Sequence, residues 1–451
     1  MSRDRFEAIP RRQFVRSALA IGGASALSAC LNVESGNSSD GPGSNTTDGG
    51  PTPEDPNFPK GPEDLSLLPE RQHAWNAYLR REPSGNTNLP EQQLVLFYEY
   101  TGSIPPTEDE RAAVEEALKS VERAYQRGTG GDTSATWSRG LLFMVGYSPT
   151  YFDRFEEPLP ESVDLQRPED VIDRLGEDDA TAESADVAIL LNSDYGTIPL
   201  SVEEALAGNL DRINGVDVGG DFASVFEQIG RRPAVVGRGN PAEELDHPEI
   251  REESPLSMGF KSGFDDSNPP EDKVTFEGGP FASGTTQLVS RLGIDLDGWY
   301  ELSDEERVTQ MFGTSYDEEQ VGDTAEDLGA SSRITEDKTE NLSEKAEEHG
   351  RLGHTQKTAR ARDESFVPKI LRRSEGNVSD PEHDAGMNFT SVQRGIEEFV
   401  SVREAMNDMG SDDIDPHHSG IVDFLTVERR GTYLIPPRSK RALPSPQPDG
   451  E

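Results

Sequence analysis

The chain of 451 residues is long enough for one large or two medium-sized domains, and its formal net charge of −43 comes from carboxylates spread along almost the whole sequence. A surface of this charge repels nucleic acid, so a nucleic-acid partner is excluded. The single cysteine excludes an internal disulfide, an iron–sulfur cluster and a thiolate metal site, so any chemistry must use His, Asp, Glu, Arg or a cofactor.

The charge composition is typical of halophilic adaptation. Asp and Glu number 86 against 43 Lys and Arg, and only about nine of the basic residues are lysine. A heavily carboxylated surface keeps a protein hydrated and soluble where concentrated salt screens ordinary repulsion. The low hydrophobic fraction of 32% then reflects the solvent rather than disorder.

The N-terminus predicts export and lipid attachment. The segment Arg11-Arg12-Gln13-Phe14 resembles the twin-arginine consensus, and the apolar run that follows, Ala18 to Leu27, is too short to span a bilayer. The segment Leu27-Ser28-Ala29-Cys30 resembles a lipobox, in which the cysteine is lipidated. We therefore predict a membrane lipid anchor on Cys30 and a location on the extracytoplasmic face of the cell membrane, or secretion. The alternative is a cytosolic chain with a chance arginine pair and a buried cysteine.

Composition divides the rest of the chain. A signal peptide at residues 1–30 precedes a spacer at 31–64 that is rich in Gly, Ser, Asn, Asp, Thr and Pro and therefore cannot form a core. We predict an N-terminal domain at 65–250, a C-terminal domain at 251–441 and a disordered tail at 442–451. Twin-arginine export carries folded proteins, commonly with a cofactor already inserted, so a cofactor is expected.

The first domain shows the pattern of a ferredoxin-like fold. Hydrophobic periodicity predicts the order strand, helix, strand, strand, helix, strand. A Ser-x-x-Glu capping box predicts that the second helix begins at Ser201. The predicted strands are 93–100, 140–147, 185–192 and 232–237, and the first helix is 108–127.

The second domain repeats the pattern less completely. We predict an α+β fold with two ferredoxin-like domains and antiparallel sheets, in which the polar stretch 313–363 is a functional insertion because it is too long for an ordinary turn. The predicted elements are strands at 286–296, 386–391 and 423–434 and helices at 303–312 and 393–406.

A series of short motifs between roughly Gln92 and Pro437 resembles the dye-decolorizing (Dyp-type) haem peroxidases. In order, the landmarks are Gly259-Phe260-Lys261-Ser262-Gly263, the strand 279–291, Gly353-His354, Lys369 to Ser374, Asp384 to Phe389, Phe399 and Gly431-Thr432-Tyr433 with Pro436-Pro437. The resemblance implies the dimeric α+β barrel superfamily, haem b bound in the C-terminal domain, hydrogen peroxide and an unknown electron donor as reactants, and possible homo-oligomers. The chain is then a divergent, Tat-exported member from a halophilic archaeon.

The resemblance also assigns roles to three residues. His354 matches the proximal iron ligand, and an imidazole on haem iron leaves the opposite face open for peroxide. Arg372, in the family's Arg-Arg pair, matches the distal arginine that stabilises charge on the leaving oxygen. Its neighbour Arg373 is expected to pair with a haem propionate or a carboxylate. The alternatives are a surface histidine in a polar loop and two arginines that pair with surface carboxylates.

The family's distal aspartate is replaced in the plainest alignment. Ser262 stands where Gly-x-x-Asp-Gly places the aspartate, and a hydroxyl cannot carry out the acid–base shuttle of peroxide cleavage. A shifted alignment restores Asp266, and Asp265 lies beside it, but that alignment loses the final glycine. The departure leaves two further hypotheses open: a haem- or iron-handling lipoprotein with little turnover, and an extracellular binding module without a cofactor.

Overall fold

The computed structural model describes most of the chain beyond the spacer. The predicted signal peptide, Cys30 and most of the spacer lie outside the described residues, and from Phe58 onward the chain is one compact unit. Among the described residues, no helix is long and apolar enough to cross a membrane. The described ranges are 57–81, 87–235, 250–254, 256–260, 267–316, 318–328, 350–378, 385–407 and 420–448, with the single residues 344 and 348.

The N-terminal half has ferredoxin-like topology. Its four main strands form an antiparallel sheet in the order β4-β1-β3-β2. Short strand pairs at Arg80–Arg81 with Thr87–Asn88 and at Arg212–Ile213 with Val216–Asp217 lie outside this sheet. The elements are β1 (Gln92–Tyr100), α1 (Glu108–Ala124), β2 (Leu142–Tyr147), α2 (Pro149–Phe152), α3 (Pro168–Leu175), β3 (Val187–Ser193), α4 (Thr197–Leu206) and β4 (Phe226–Val235).

The C-terminal half has the same topology, with its strands in the order β6-β7-β5-β8. A short strand at Thr181–Ala182 runs parallel to β8. The elements are β5 (Thr285–Ile294), α5 (Leu296–Glu301), α6 (Asp304–Phe312), α7 (Glu318–Val321), α8 (His354–Arg360), β6 (Leu371–Val378), β7 (Ala385–Gln393), α9 (Ile396–Asn407) and β8 (Leu425–Ile435). The α+β fold class with two ferredoxin-like halves is therefore confirmed.

The two sheets close into one barrel through two narrow joins. Strand β6 meets β4 at the pair Asn377 and Val235, and β8 meets β2 at the pair Leu434 and Tyr147. The sheets thus enclose a shared interior of apolar residues from both halves, including Val95 and Val289. Helices cover the outer face of each sheet, so every main strand has an interior side and a helix-facing side.

The start of one helix was predicted wrongly, and one strand was not predicted. Helix α4 begins at Thr197, and the Ser201 hydroxyl donates to the Ile198 carbonyl inside the helix instead of capping it. The helix starts earlier because Ile198 and Val202 both face the core. Strand β6 was not predicted because its sequence, Leu371 to Val378, is polar and lacks an alternating apolar pattern.

Candidate functional site

His354 lies at the start of α8, in a position set by close backbone packing. Gly353 caps the helix, and its N–H donates to Gln356 Oε1 at 2.9 Å. A Cβ on Gly353 would lie 2.2 Å from the Gly313 nitrogen, so only glycine permits this contact with the end of α6. The backbone therefore holds His354 against α6, and the predicted surface-loop alternative does not describe it.

The His354 ring is desolvated. Burial, together with the charges of Arg372, Lys357 and Arg403, lowers its pKa to about 3. Its Nδ1 atom is buried and has no hydrogen-bond partner in the part of the chain that the structure describes. The imidazole is therefore neutral at neutral pH, which is the protonation state that ligates a metal.

Arg372 extends from β6 on the helix-facing side. It pairs in register with Ser391, whereas the preceding residue, Leu371, contributes to the barrel interior. Its backbone N–H and Nε donate to Asn268 Oδ1 at 3.1 and 3.4 Å, and Nη2 donates to the Ser267 carbonyl at 3.5 Å. Arg372 is thus anchored to the segment that follows the predicted distal acids, and its charge reaches His354.

The distal candidates Ser262, Asp265 and Asp266 lie outside the described residues, but the residues that flank them are described. Before them, Phe260 is buried and its ring lies 5.4 Å from that of Phe312. After them, Ser267 and Asn268 receive the hydrogen bonds from Arg372. The described residues on the two sides of the candidates therefore lie at the end of α6 and at Arg372.

Arg373 points away from this region. It is fully buried, lies over the ring of Trp75, and forms an ion pair with Glu271. It also donates to Asn76 Oδ1 at 2.9 Å and to the His73 carbonyl at 2.7 Å. Of the two partners expected for Arg373, a propionate or a carboxylate, the structure provides a carboxylate of the protein itself.

Sequence reasoning missed an ion network beside His354. Arg430 of β8 makes a bidentate pair with Glu177, which follows α3, and donates to Ser290 Oγ at 2.7 Å. Arg403 of α9 reaches the same carboxylate at 3.4 Å. Glu177 and Arg403 are 226 positions apart, so no local pattern could have joined them.

Arg403 is the least satisfied member of that network. Burial lowers its pKa to about 10, and the nearby charge of Arg430 contributes to the effect. Its Nε has no hydrogen-bond partner within the described ranges. A buried guanidinium that shares one carboxylate with a second arginine can accept another anionic partner.

The comparisons with known proteins agree with this architecture. Residues 90–437, most of the chain, match the model of DUF7405, a family of unknown function. No curated protein matches the chain.

Three solved structures share the fold. An encapsulated DyP-type peroxidase from Mycobacterium smegmatis is 16% identical, with a TM-score of 0.50, and the match covers 82% of this chain and 100% of that chain. A dye-decolorizing protein from V. cholerae is 15% identical, with a TM-score of 0.50, and the match covers 81% of this chain and 98% of that chain. A dye-decolorizing peroxidase from Bacteroides thetaiotaomicron is 12% identical, with a TM-score of 0.50 and the same two coverages, 81% and 98%. At these identities the likeness establishes the fold alone. The chain therefore belongs to the DUF7405 family of unknown function and has the fold of the DyP-type peroxidases.

Proposed function

We propose that the protein is a lipid-anchored haem peroxidase of the dye-decolorizing type, which uses hydrogen peroxide to oxidise an unknown donor outside the cytoplasm. The observation that carries the proposal is the neutral, half-buried His354, whose buried Nδ1 has no partner among the described residues and whose ring lies in the field of Arg372. The twin-arginine motif and the lipobox at Cys30 support export and membrane attachment.

The residues present fit a haem. His354 would hold the haem iron through its imidazole, and Arg403, with its incompletely paired guanidinium, would pair with a propionate. When bound, haem b supplies the redox chemistry of peroxide activation. Arg373 is not part of this proposal because both of its terminal nitrogens already donate to the protein, Nη1 to Asn76 and Nη2 to Glu271.

The chain's own residues would bind peroxide and move its proton. Arg372 would orient the peroxide and stabilise negative charge on the departing oxygen, and Asn268 holds its Nε so that the side chain needs little reorganisation. Asp266 or Asp265 would transfer the proton between the two oxygens, since the hydroxyl of Ser262 can serve as a hydrogen-bond partner but not as the base.

A specific observation also favours a second function, haem or iron handling with little turnover. Among the described residues, three cations lower the His354 pKa: Arg372, Lys357 and Arg403. In metal sites a carboxylate that accepts a hydrogen bond from the histidine makes the imidazole a stronger donor. Nearby cations have the opposite effect and would slow peroxide cleavage.

Absorption spectra of protein purified in high salt from haem-replete cells, before and after addition of peroxide, test both functions. A Soret band that shifts with peroxide supports the peroxidase, and a band that does not shift supports haem handling. The absence of a band would contradict both.

Two variants sharpen this experiment. In Arg372→Ala we expect peroxide-dependent dye oxidation to fall about 10²- to 10³-fold, as when a preorganised charge donor is removed from other active sites, while haem is retained. Arg212→Ala, which removes an exposed arginine, is the control and should leave the rate unchanged. Equal rates for the two variants would contradict the distal role of Arg372.

A further inference from the structure

Strand β6 contains a β-bulge between the two arginines of the pair and the rest of the strand. Arg372 lies opposite Ser391 of β7, but Ser374 already lies opposite Thr390, so Arg373 has no partner in the described register of the two strands. A bulge of this kind places one extra residue on one strand and re-aims the neighbouring side chains. The bulge at Arg373 therefore bears directly on the direction of the Arg372 side chain.

The alternation of side chains along a strand shows what the bulge does. If β6 ran regularly from Ser374 back towards its start, Arg372 would lie opposite Val392 instead of opposite Ser391. Val392 belongs to the apolar cluster inside the barrel, so Arg372 would then face the barrel interior. The bulge thus decides that Arg372 lies on the helix-facing side, where its charge reaches His354.

The side-chain contacts of Arg373 hold the bulge. The guanidinium is fully buried over the Trp75 ring, and its two terminal nitrogens donate to three acceptors. These are the carboxylate of Glu271, the Asn76 Oδ1 atom at 2.9 Å and the His73 carbonyl at 2.7 Å. Because a buried guanidinium is costly without its partners, these contacts keep Arg373 in the bulged position.

Glu271 is the only charged acceptor of the three. Its Oε1 atom also accepts the backbone N–H groups of Trp75 at 2.6 Å and of Asn76 at 2.8 Å. The Glu271 side chain is 16% exposed, so water competes only weakly for its pair with Arg373. Glu271 therefore fixes the arginine and, at the same time, the backbone that carries the neighbouring acceptor on Asn76.

The loop that contains Glu271 also holds Arg372. Asn268 lies three positions before Glu271, and its Oδ1 atom accepts from the backbone N–H and the Nε of Arg372. Pro269 and Pro270 lie between the two acceptors, and a proline ring fixes the backbone φ angle. The loop thus provides one acceptor for each arginine at a constrained spacing.

We propose that Glu271 is a positioning residue of the candidate site: by holding Arg373 in the bulge, it keeps Arg372 on the side of β6 that faces His354. Glu271 acts through Arg373 and not on peroxide itself. The expected effect on the reaction rests on the proposed peroxidase function, whereas the placement of Arg372 can be tested without haem. The alternative is a purely structural ion pair, which would stabilise the fold without affecting Arg372.

Crystal structures of the haem-free full chain test the placement. Glu271→Gln keeps an oxygen for the two backbone N–H groups but removes the charge, and we expect the bulge to shift and Arg372 to lose its bonds to Asn268. Glu122→Gln is the matched control, because Glu122 is a buried carboxylate of α1 that also pairs with two arginines. Arg372 should stay in place in the control. An unchanged bulge with Arg372 still bonded to Asn268 in Glu271→Gln overturns the proposal.

Peroxide-dependent dye oxidation by the haem-loaded protein tests the consequence for the reaction. Glu271→Gln should lower the rate about 10- to 100-fold, because a misplacement of about 1 Å in an active site can cost about 10²-fold. In the Arg372→Ala background the same substitution should have no further effect, whereas a purely structural role would lower both rates equally. Equal losses in the two backgrounds contradict the proposal.

If Glu271→Gln does not fold, Asn76→Ala takes its place, because it removes only one neutral acceptor of Arg373. We expect a partial displacement of Arg372 in the crystal and a smaller loss of rate, which again disappears in the Arg372→Ala background. An undisplaced Arg372, or equal losses of rate in both backgrounds, contradicts the positioning role. A wild-type protein without peroxidase activity would contradict the proposed function but not the placement of Arg372, which the haem-free crystals test.

Discussion

The two halves of the barrel share a topology but use their helix-facing sides differently. In the N-terminal half, the outer side of β1 presents Leu94, Leu96, Tyr98 and Tyr100 to an apolar core under α1 and α4. In the C-terminal half, the corresponding layer contains Ser290, Arg372 and Arg430 beside the apolar Leu288 and Phe389. The C-terminal layer thus combines an apolar cluster with polar side chains, and it is where we propose that the ligand binds.

The difference shows that a ferredoxin-like half with buried charged side chains needs partners for those charges. Buried charges are costly unless they are paired, so the arginines of the C-terminal layer require partners. Glu177 provides one by pairing with Arg430 and Arg403, and it comes from the N-terminal half of the chain. The half without the candidate site thus supplies the charge that stabilises the half with it.

The largest expected difference between the two halves is a loss of haem affinity in His354→Ala. Haem affinity should fall at least about 100-fold, because even outer-shell partners of a metal ligand account for about 10- to 100-fold. Haem titration followed at the Soret band measures it. His73→Gln is the matched control, since His73 is also buried, with Nε2 2.7 Å from Thr275 Oγ1, but lies next to Arg373 instead of Arg372. Retention of haem by His354→Ala would contradict the ligand assignment.

Removal of the shared carboxylate should destabilise the protein most strongly among the polar substitutions. Glu177→Gln leaves Arg430 and Arg403 buried without a counter-charge, and we expect a loss of about 3–5 kcal/mol in the free energy of unfolding. Denaturant titration in constant salt measures it. Asp217→Asn, which breaks the exposed Arg212 pair, should cost about 1 kcal/mol or less. Similar losses in the two variants would show that Glu177 is not a structural counter-charge.

Equivalent core substitutions should separate stability from ligand binding. Leu96→Ala and Leu288→Ala each remove a fully buried side chain and should cost about 2–5 kcal/mol. Only Leu288→Ala should also change the Soret band of haem-loaded protein, because only Leu288 lies on the sheet face that carries Arg372. A spectral change of equal size in Leu96→Ala would remove the distinction between the two layers.

Removal of a helix cap should have the smallest effect on the free energy of unfolding, and the same effect in both halves. Helices α1 and α6 both begin with a capping box, formed by Thr107 with Glu110 and by Ser303 with Glu306. Thr107→Ala and Ser303→Ala should each lower the free energy of unfolding by about 1 kcal/mol. Denaturant titration can compare them, with Thr107→Ser as the conservative control. A much larger loss for Ser303→Ala would mean that α6 does more for the C-terminal half than its cap explains.

Local sequence patterns predicted most strands but not all helix limits. The apolar runs of β1 and β3 have buried side chains at nearly every position, so their hydrophobicity alone identified them. Strand β6 was not predicted, because its polar residues are stabilised by pairing with β7 and by contacts to Asn268 and Glu271, which are distant in sequence. The start of α4 was misplaced because core packing of Ile198 outweighed a short capping motif.

The sequence by itself determined the fold class, the order of the two halves and the identity of His354 and Arg372 as site candidates, because these depend on periodicity and on ordered motifs. Their roles toward haem remain proposals. Only the tertiary structure decided which side of the sheet each arginine faces, so that Arg372 reaches His354 while Arg373 is held by Glu271. It alone revealed the Glu177 network. The physical reason is that burial and charge pairing depend on neighbours brought together from distant parts of the chain, which leave no local pattern in the sequence.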